Sequence, residues 1–142
     1  MTKPMARYEE IPHTADVRLR IFGADERELF ANAAFALSDS LVDLSGVRAE
    51  ISDSVEATGG DIEETLINFL SELLYRFDGE GRAYSECRID ELSDVRVAAV
   101  CSGEALDPAR HHRRKGIKAV TFHDVNIARD ERGLSVVITF DV

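Results

Sequence analysis

Two aspartates stand near opposite ends of this 142-residue chain, each against an alternating apolar run. Asp16 closes the string YEEIPHTADV and precedes Val17, Leu19 and Ile21; Asp141 follows Leu134, Val136, Ile138 and Phe140 in the ending VITFDV. Apolar residues at every second position are the signature of a strand with one buried face. Antiparallel pairing of the two runs would set the start of the first beside the end of the last. Asp16, Asp141 and the chain-end carboxylate of Val142 would then share one edge. Oxygen donors gathered in that way suit a hard divalent cation such as Ca2+ or Mg2+. The plainer alternative has Asp16 capping a turn and Asp141 in a solvated tail, and spacing alone leaves both open.

Other chemistry is sparse. The chain has neither the GxGxxG nor the GxxxxGK[ST] phosphate loop, no GxSxG elbow and no HExxH pair. Of the four histidines, His13 lies three residues before Asp16. It could orient that carboxylate, contact a metal-bound water, or simply bond the backbone of its turn. His123 shares a predicted strand face with Ile117, Ala119, Thr121 and Val125, which suits a half-buried, hydrogen-bonded imidazole. Lys118 falls on the opposite face with Val120 and Phe122 and reads as a surface lysine. The stretch ARHHRRKGIK, residues 109–118, holds five Lys or Arg and no acid. His111 and His112 are expected to be exposed there. Arg113, Arg114 and Lys115 are candidates for contact with RNA or with an acidic partner surface, against the alternative of a solvated loop.

The elements that position these residues follow from periodicity. A strand over Asp16 to Phe22 ends at Gly23. Asp25 with Glu28 then resembles a capping box, opening a helix whose stripe is Leu29, Phe30, Ala33, Ala34, Leu37 and Leu41. Val47 to Ala57 alternates as a strand. Asp61 and Glu64 repeat the cap before a second, more apolar helix with Ile62, Leu66, Phe69, Leu70, Leu73 and Phe77, ended near Gly79 and Gly81. Four strand-like runs follow: Ala83 to Leu92, Asp94 to Cys101, Ile117 to Ala128 and Leu134 to Val142. Residues 102–116 form a long excursion between them. The order predicts an α+β two-layer sandwich. Two helices pack on one face of a mixed, mainly antiparallel sheet of about six strands, in a single domain over residues 1–142.

Composition narrows the function classes. At 44% hydrophobic and 31% charged the chain reads as soluble and globular. A formal charge of −10 disfavours a general nucleic-acid binder but suits a basic partner. MTKPMARYEE holds no apolar core of a secretory signal, and no membrane span is expected, which together point to the cytoplasm. Cys87 and Cys101 occupy separate strand-like runs and are expected to be reduced core residues.

Four blocks carry a resemblance: HTADV, the helix LINFLSELLYRFDGEG, IKAVTFHDV and the terminal DV. In this order, over nearly the whole chain, they resemble the archease family. The resemblance implies an archease-like sandwich and a non-catalytic protein that activates an RNA ligase of the RtcB type in tRNA splicing, promoting its guanylylation and multiple turnover. It also implies a divalent-metal site at Asp16, Asp141 and Val142, the same cluster that strand geometry suggests. Ca2+ is the expected ion, since loose all-oxygen coordination suits it better than octahedral Mg2+; Mg2+ and Mn2+ are the alternatives. Lys118 occupies the lysine of the IKAVT block, where it would pair with Asp141 or reach a phosphate of the ligase's guanylate. RNA contact is expected to be indirect or through loop 109–118. That loop is richer in arginine than the family pattern, which weakens any family-wide role for it. A small metal-dependent phosphoester hydrolase using the same carboxylates, or a chaperone-like binding module, are the competing functions.

Overall fold

The two helices begin where acid side chains satisfy their first amides. In the computed structural model, which describes residues 6–11 and 16–142, the Asp25 carboxylate accepts from the Glu28 N–H at 2.9 Å. Glu28 in turn accepts from the Ala24 N–H at 3.0 Å. Helix α1, Glu26–Leu41, runs from this cap. Asp61 and Glu64 make the matching pair of contacts at 2.8 and 3.2 Å for α2, Ile62–Glu80. Such caps are each worth about 1 kcal/mol. Gly81 closes α2 in the left-handed conformation, φ 65°, where a β-carbon is disfavoured.

Eight strands surround them: β1 Tyr8–Ile11, β2 Val17–Gly23, β3 Ile51–Thr58, β4 Arg82–Leu92, β5 Arg96–Ala105, β6 Ala119–Thr121, β7 Ala128–Asp130 and β8 Gly133–Asp141. The α+β class and the helices-on-sheet layering hold. The strands divide into two sheets, one ordered β1-β2-β8-β6 with β7 also on β8, the other ordered β3-β5-β4. Every pairing among the described residues is antiparallel. Both helices touch both sheets, α1 on β2 and β4, α2 on β3 and β6. They meet each other through Phe30 and Phe69, whose rings stack with centroids 6.1 Å apart. The buried residues of helices and sheets form one cluster, with Leu19, Ile21, Phe30, Phe69, Ile138 and Phe140 wholly enclosed. Each such side chain contributes roughly 1.5–3 kcal/mol by leaving water.

Several boundaries differ from the periodicity. A 3-10 turn over Leu44–Gly46 precedes the run from Val47 to Ala57, which becomes strand only at Ile51. Ile117 to Ala128 is not one strand: β6 and β7 pair with opposite ends of β8, and residues 122–127 detour between them. The cysteines are not reduced. The β4–β5 register sets Cys87 directly opposite Cys101, and the two are joined as a disulfide, both buried. The spacing between them hid this, because adjacency across a hairpin depends on register and not on a motif. No helix among the described residues is long and apolar enough to cross a membrane.

Candidate functional site

Strands β2 and β8 pair antiparallel with Val17 opposite Phe140, Leu19 opposite Ile138 and Ile21 opposite Val136. These are the core-facing residues. Continuing the same register by one step sets Asp16 opposite Asp141, and alternation puts both on the outer face of the sheet. The third strand at this edge is β6, with Ala119 opposite Asp141. Its approach is fixed by the Lys118 N–H, which donates to the Asp141 main-chain oxygen at 2.7 Å. The Thr121 hydroxyl donates to Asp141 Oδ1 at 3.2 Å and orients that carboxylate. Asp141 and Val142 are exposed, and Asp16 is half-buried.

Carboxylate and chain-end oxygens are hard donors, so this edge fits a hard cation and not a soft-ligand metal. No group of three or more His, Cys, Asp or Glu suited to a metal occurs among the described residues. A cation held by Asp16 and Asp141 would therefore complete its shell with the Val142 carboxylate, main-chain oxygens and water. His13 lies outside the described residues.

Lys118 is at this edge, but its side chain follows the other face. By alternation it shares the helix-facing side with Val120, and it lines a groove against α2 with Ser71, Leu74, Tyr75 and Asp78. The expected pairing of its ammonium with Asp141 is absent; only its backbone amide reaches that residue. His123 is exposed beside Asp124, at 3.1 Å, and is not the half-buried imidazole expected. The strand ends at Thr121, and Asp124 takes φ 52°, so the alternation on which that expectation relied stops two residues early.

The basic loop also departs from expectation. His111 is only 2% exposed and Glu104 only 4%. His111 Nδ1 accepts from the Asp107 N–H at 2.8 Å, and its Nε2 lies 2.7 Å from Glu104 Oε1. With Nδ1 accepting, Nε2 carries the proton and donates to the carboxylate. Arg110 grips both Glu104 oxygens at 2.8 Å, and the Arg48 N–H adds a bond at 3.0 Å. The Arg110 guanidinium holds the Glu104 carboxyl well below the usual carboxylate range, opposed by the cost of its desolvation. This buried acid was missed because Glu104 stands one residue from the end of a strand, where sequence gives an acid no partner.

The remaining cations of the loop serve neighbouring elements. The Arg114 and Lys115 N–H groups donate to the Leu41 and Ser40 carbonyls at the end of α1, at 2.9 and 3.0 Å. That helix has no basic residue of its own in its last turn. The Arg114 guanidinium pairs with Asp39 at 3.1 Å, and Asp39 also accepts from the Tyr8 hydroxyl at 2.5 Å. Lys115 pairs with Glu10. Arg113 lies over the Phe77 ring at 5.1 Å. Arg114 and Lys115 thus hold β1 against α1.

The chain matches the Archease protein family (MTH1598/TM1083) over residues 8–142. The chain belongs to the archease family. Among archeases similar to it, "Protein archease" from Pyrococcus abyssi is 37% identical over 128 residues, covering 88% of this chain and 90% of that one. The protein of the same name from Methanopyrus kandleri is 36% identical over 127 residues, covering 87% and 91%. In three dimensions the chain resembles the solution structure of protein 1598 from Methanobacterium thermoautotrophicum. The TM-score is 0.80 at 31% identity, with 97% of this chain and 100% of that chain covered.

Proposed function

We infer that this archease is a non-catalytic activator of an RNA ligase of the RtcB type, acting in tRNA splicing in the cytoplasm. It promotes guanylylation of the ligase and so its multiple turnover. The acting surface is the edge where β2 and β8 meet, holding a divalent cation, Ca2+ by preference, on Asp16, Asp141 and the Val142 carboxylate. The observation that carries this reading is the β2–β8 register, which brings two carboxylates 125 positions apart in the chain to facing positions. Family membership over residues 8–142 supports it. A bound cation would offset the repulsion between the two aspartates and give an otherwise acidic surface a positive centre. RNA contact is proposed to be indirect, through the ligase, or through loop 109–118. In that loop Arg114 and Lys115 already have acidic partners within the chain. The buried Cys87–Cys101 bridge is compatible with a reducing compartment, since sulfurs without solvent access exchange slowly with external thiols.

The test is ligase-guanylate formation from radiolabelled GTP over several turnovers, with the ligase of the same organism. The expected result is stimulation with this protein present, and no ligation or phosphoester turnover by this protein alone. Equal guanylylation with and without it would remove the activator reading. Phosphoester turnover by the isolated chain would favour a hydrolase.

A further inference from the structure

Asp141 is the last residue of β8 and the penultimate residue of the chain, a place where backbones ordinarily fray. Strand β6 holds it twice. The Lys118 N–H donates to its main-chain oxygen at 2.7 Å, and the Thr121 hydroxyl donates to its Oδ1 at 3.2 Å. Among the described residues no other side chain hydrogen-bonds this carboxylate, and Oδ2 accepts from none. Strand β8 runs between β2 and β6, so Thr121 approaches Asp141 from one flank while the register puts Asp16 on the other. Strand propensity asks only for a branched side chain at position 121, and valine would serve β6 as well. The hydroxyl is what strand formation does not require. Thr139, directly opposite on β8, is equally branched, and its hydroxyl bonds no other described residue.

We propose that Thr121 is a positioning residue for the cation edge: by holding Oδ1 of Asp141 it leaves Oδ2 as the single oxygen this carboxylate offers to a cation shared with Asp16. The inference rests on the proposed divalent-metal role of Asp16, Asp141 and Val142, and it assigns a residue that sets the affinity of that edge. Two facing carboxylates repel, and one free to rotate at a chain end relieves the repulsion by turning away. Holding it in place before the ion arrives removes that ordering cost from binding. A hydroxyl suits the task because it donates without bringing positive charge. A lysine or arginine in the same place would compete with the cation for the carboxylate, and the Lys118 side chain instead lines the groove against α2. Removing a group that hydrogen-bonds a metal-binding side chain typically lowers metal affinity by about 10- to 100-fold.

The experiment is calorimetry of Ca2+ binding, without the ligase, on the wild-type protein, Thr121→Val, Thr121→Ala, Thr121→Ser and Thr139→Val, with circular dichroism of each. Valine keeps the branched shape of Thr121 and removes only the donor, alanine is a second variant without it, and serine keeps it. Thr121→Val and Thr121→Ala are expected to bind Ca2+ about tenfold more weakly, or worse, with native circular dichroism. Thr121→Ser and Thr139→Val should bind as wild type. Wild-type affinity in either variant without the donor would overturn the positioning role and leave the metal edge standing. An equal loss in Thr121→Ser or Thr139→Val would trace the effect to strand packing, not to the hydroxyl, and would also overturn it. A wild-type protein that binds no Ca2+ would overturn the edge and this role together. One that binds Ca2+ yet fails to stimulate the ligase would overturn the activator reading alone.

Discussion

His111 Nε2 and Glu104 Oε1 lie 2.7 Å apart in the interior, and Arg110 closes over the same carboxylate from the solvent side. A loop that reads as solvated in sequence is thereby tied to strand β5 by a buried charge. Because Glu104 has a depressed folded-state pKa, its contribution to stability is present above the ordinary glutamate value, about 4.3, and is lost as pH falls toward the folded value. Glu104→Gln is expected to melt several degrees lower than wild type at neutral pH. The gap should narrow through the acid range as wild type loses the same contribution. Melting temperatures measured from about pH 7 down to about pH 2 check this; a gap that stays constant across the range would contradict it.

Asp16→Ala and Asp141→Ala are each expected to lose Ca2+ binding in calorimetry while keeping the native circular dichroism. Both positions face outward from the sheet, and surface changes away from packing shift stability by no more than about 0.5 kcal/mol. Loss of a bound ion would add a Ca2+-dependent drop in melting temperature for wild type alone. Unchanged affinity in Asp16→Ala would refute the shared site.

Lys115→Ala removes the partner of Glu10 and should loosen β1 with little global effect, since an exposed ion pair contributes about 0.2–1 kcal/mol. Hydrogen exchange is the appropriate probe. Faster exchange is expected at the β1 amides, residues 8–11, and unchanged exchange in α2. The same variant tests the loop's external role. If Arg113, Arg114 and Lys115 also touch RNA or a partner, neutralising all three should weaken association and reduce its salt dependence.

Gly103 sits opposite Tyr84 where β4 and β5 shift register, and an added β-carbon there would lie 1.8 Å from the Ala83 carbonyl oxygen. Backbone cannot yield as a flexible side chain does. Gly103→Ala is expected to cost about 1–3 kcal/mol, read as a lower urea midpoint. A midpoint equal to wild type would mean that the two strands separate more freely than the register shift implies.

What was legible in the sequence is what local rules govern. Asp25 and Asp61 announced both helix starts, and Val17 to Ile21 and Leu134 to Phe140 announced two core strands whose pairing follows from their shared apolar face. The facing of Asp16 and Asp141 came from that pairing. What depends on non-local register was not legible. Cys87 meets Cys101 only because β4 and β5 align as they do. Glu104 finds Arg110 and His111 only because the loop folds back beneath Gly46, whose carbonyl accepts from Arg110 at 2.9 Å. His123 differs for the opposite reason: its alternation continues in the sequence past Thr121, where the strand has ended and the chain turns away.

That turning away has a consequence for how the molecule behaves in company. Strand β8 is nine residues long and rich in branched apolar side chains, the composition that invites a foreign strand to add itself alongside. On one flank β2 occupies it fully. On the other, β6 and β7 take three residues each at its two ends, and the detour between them seats Val125 in the interior and ties the Ile127 N–H to Glu63 on α2 at 3.2 Å. An intruding chain would find no uninterrupted row of amides to zip against. Splitting one edge into two short pieces thus denies a second chain a continuous row of partners along β8, the kind of protection by which sheets avoid edge-to-edge templating.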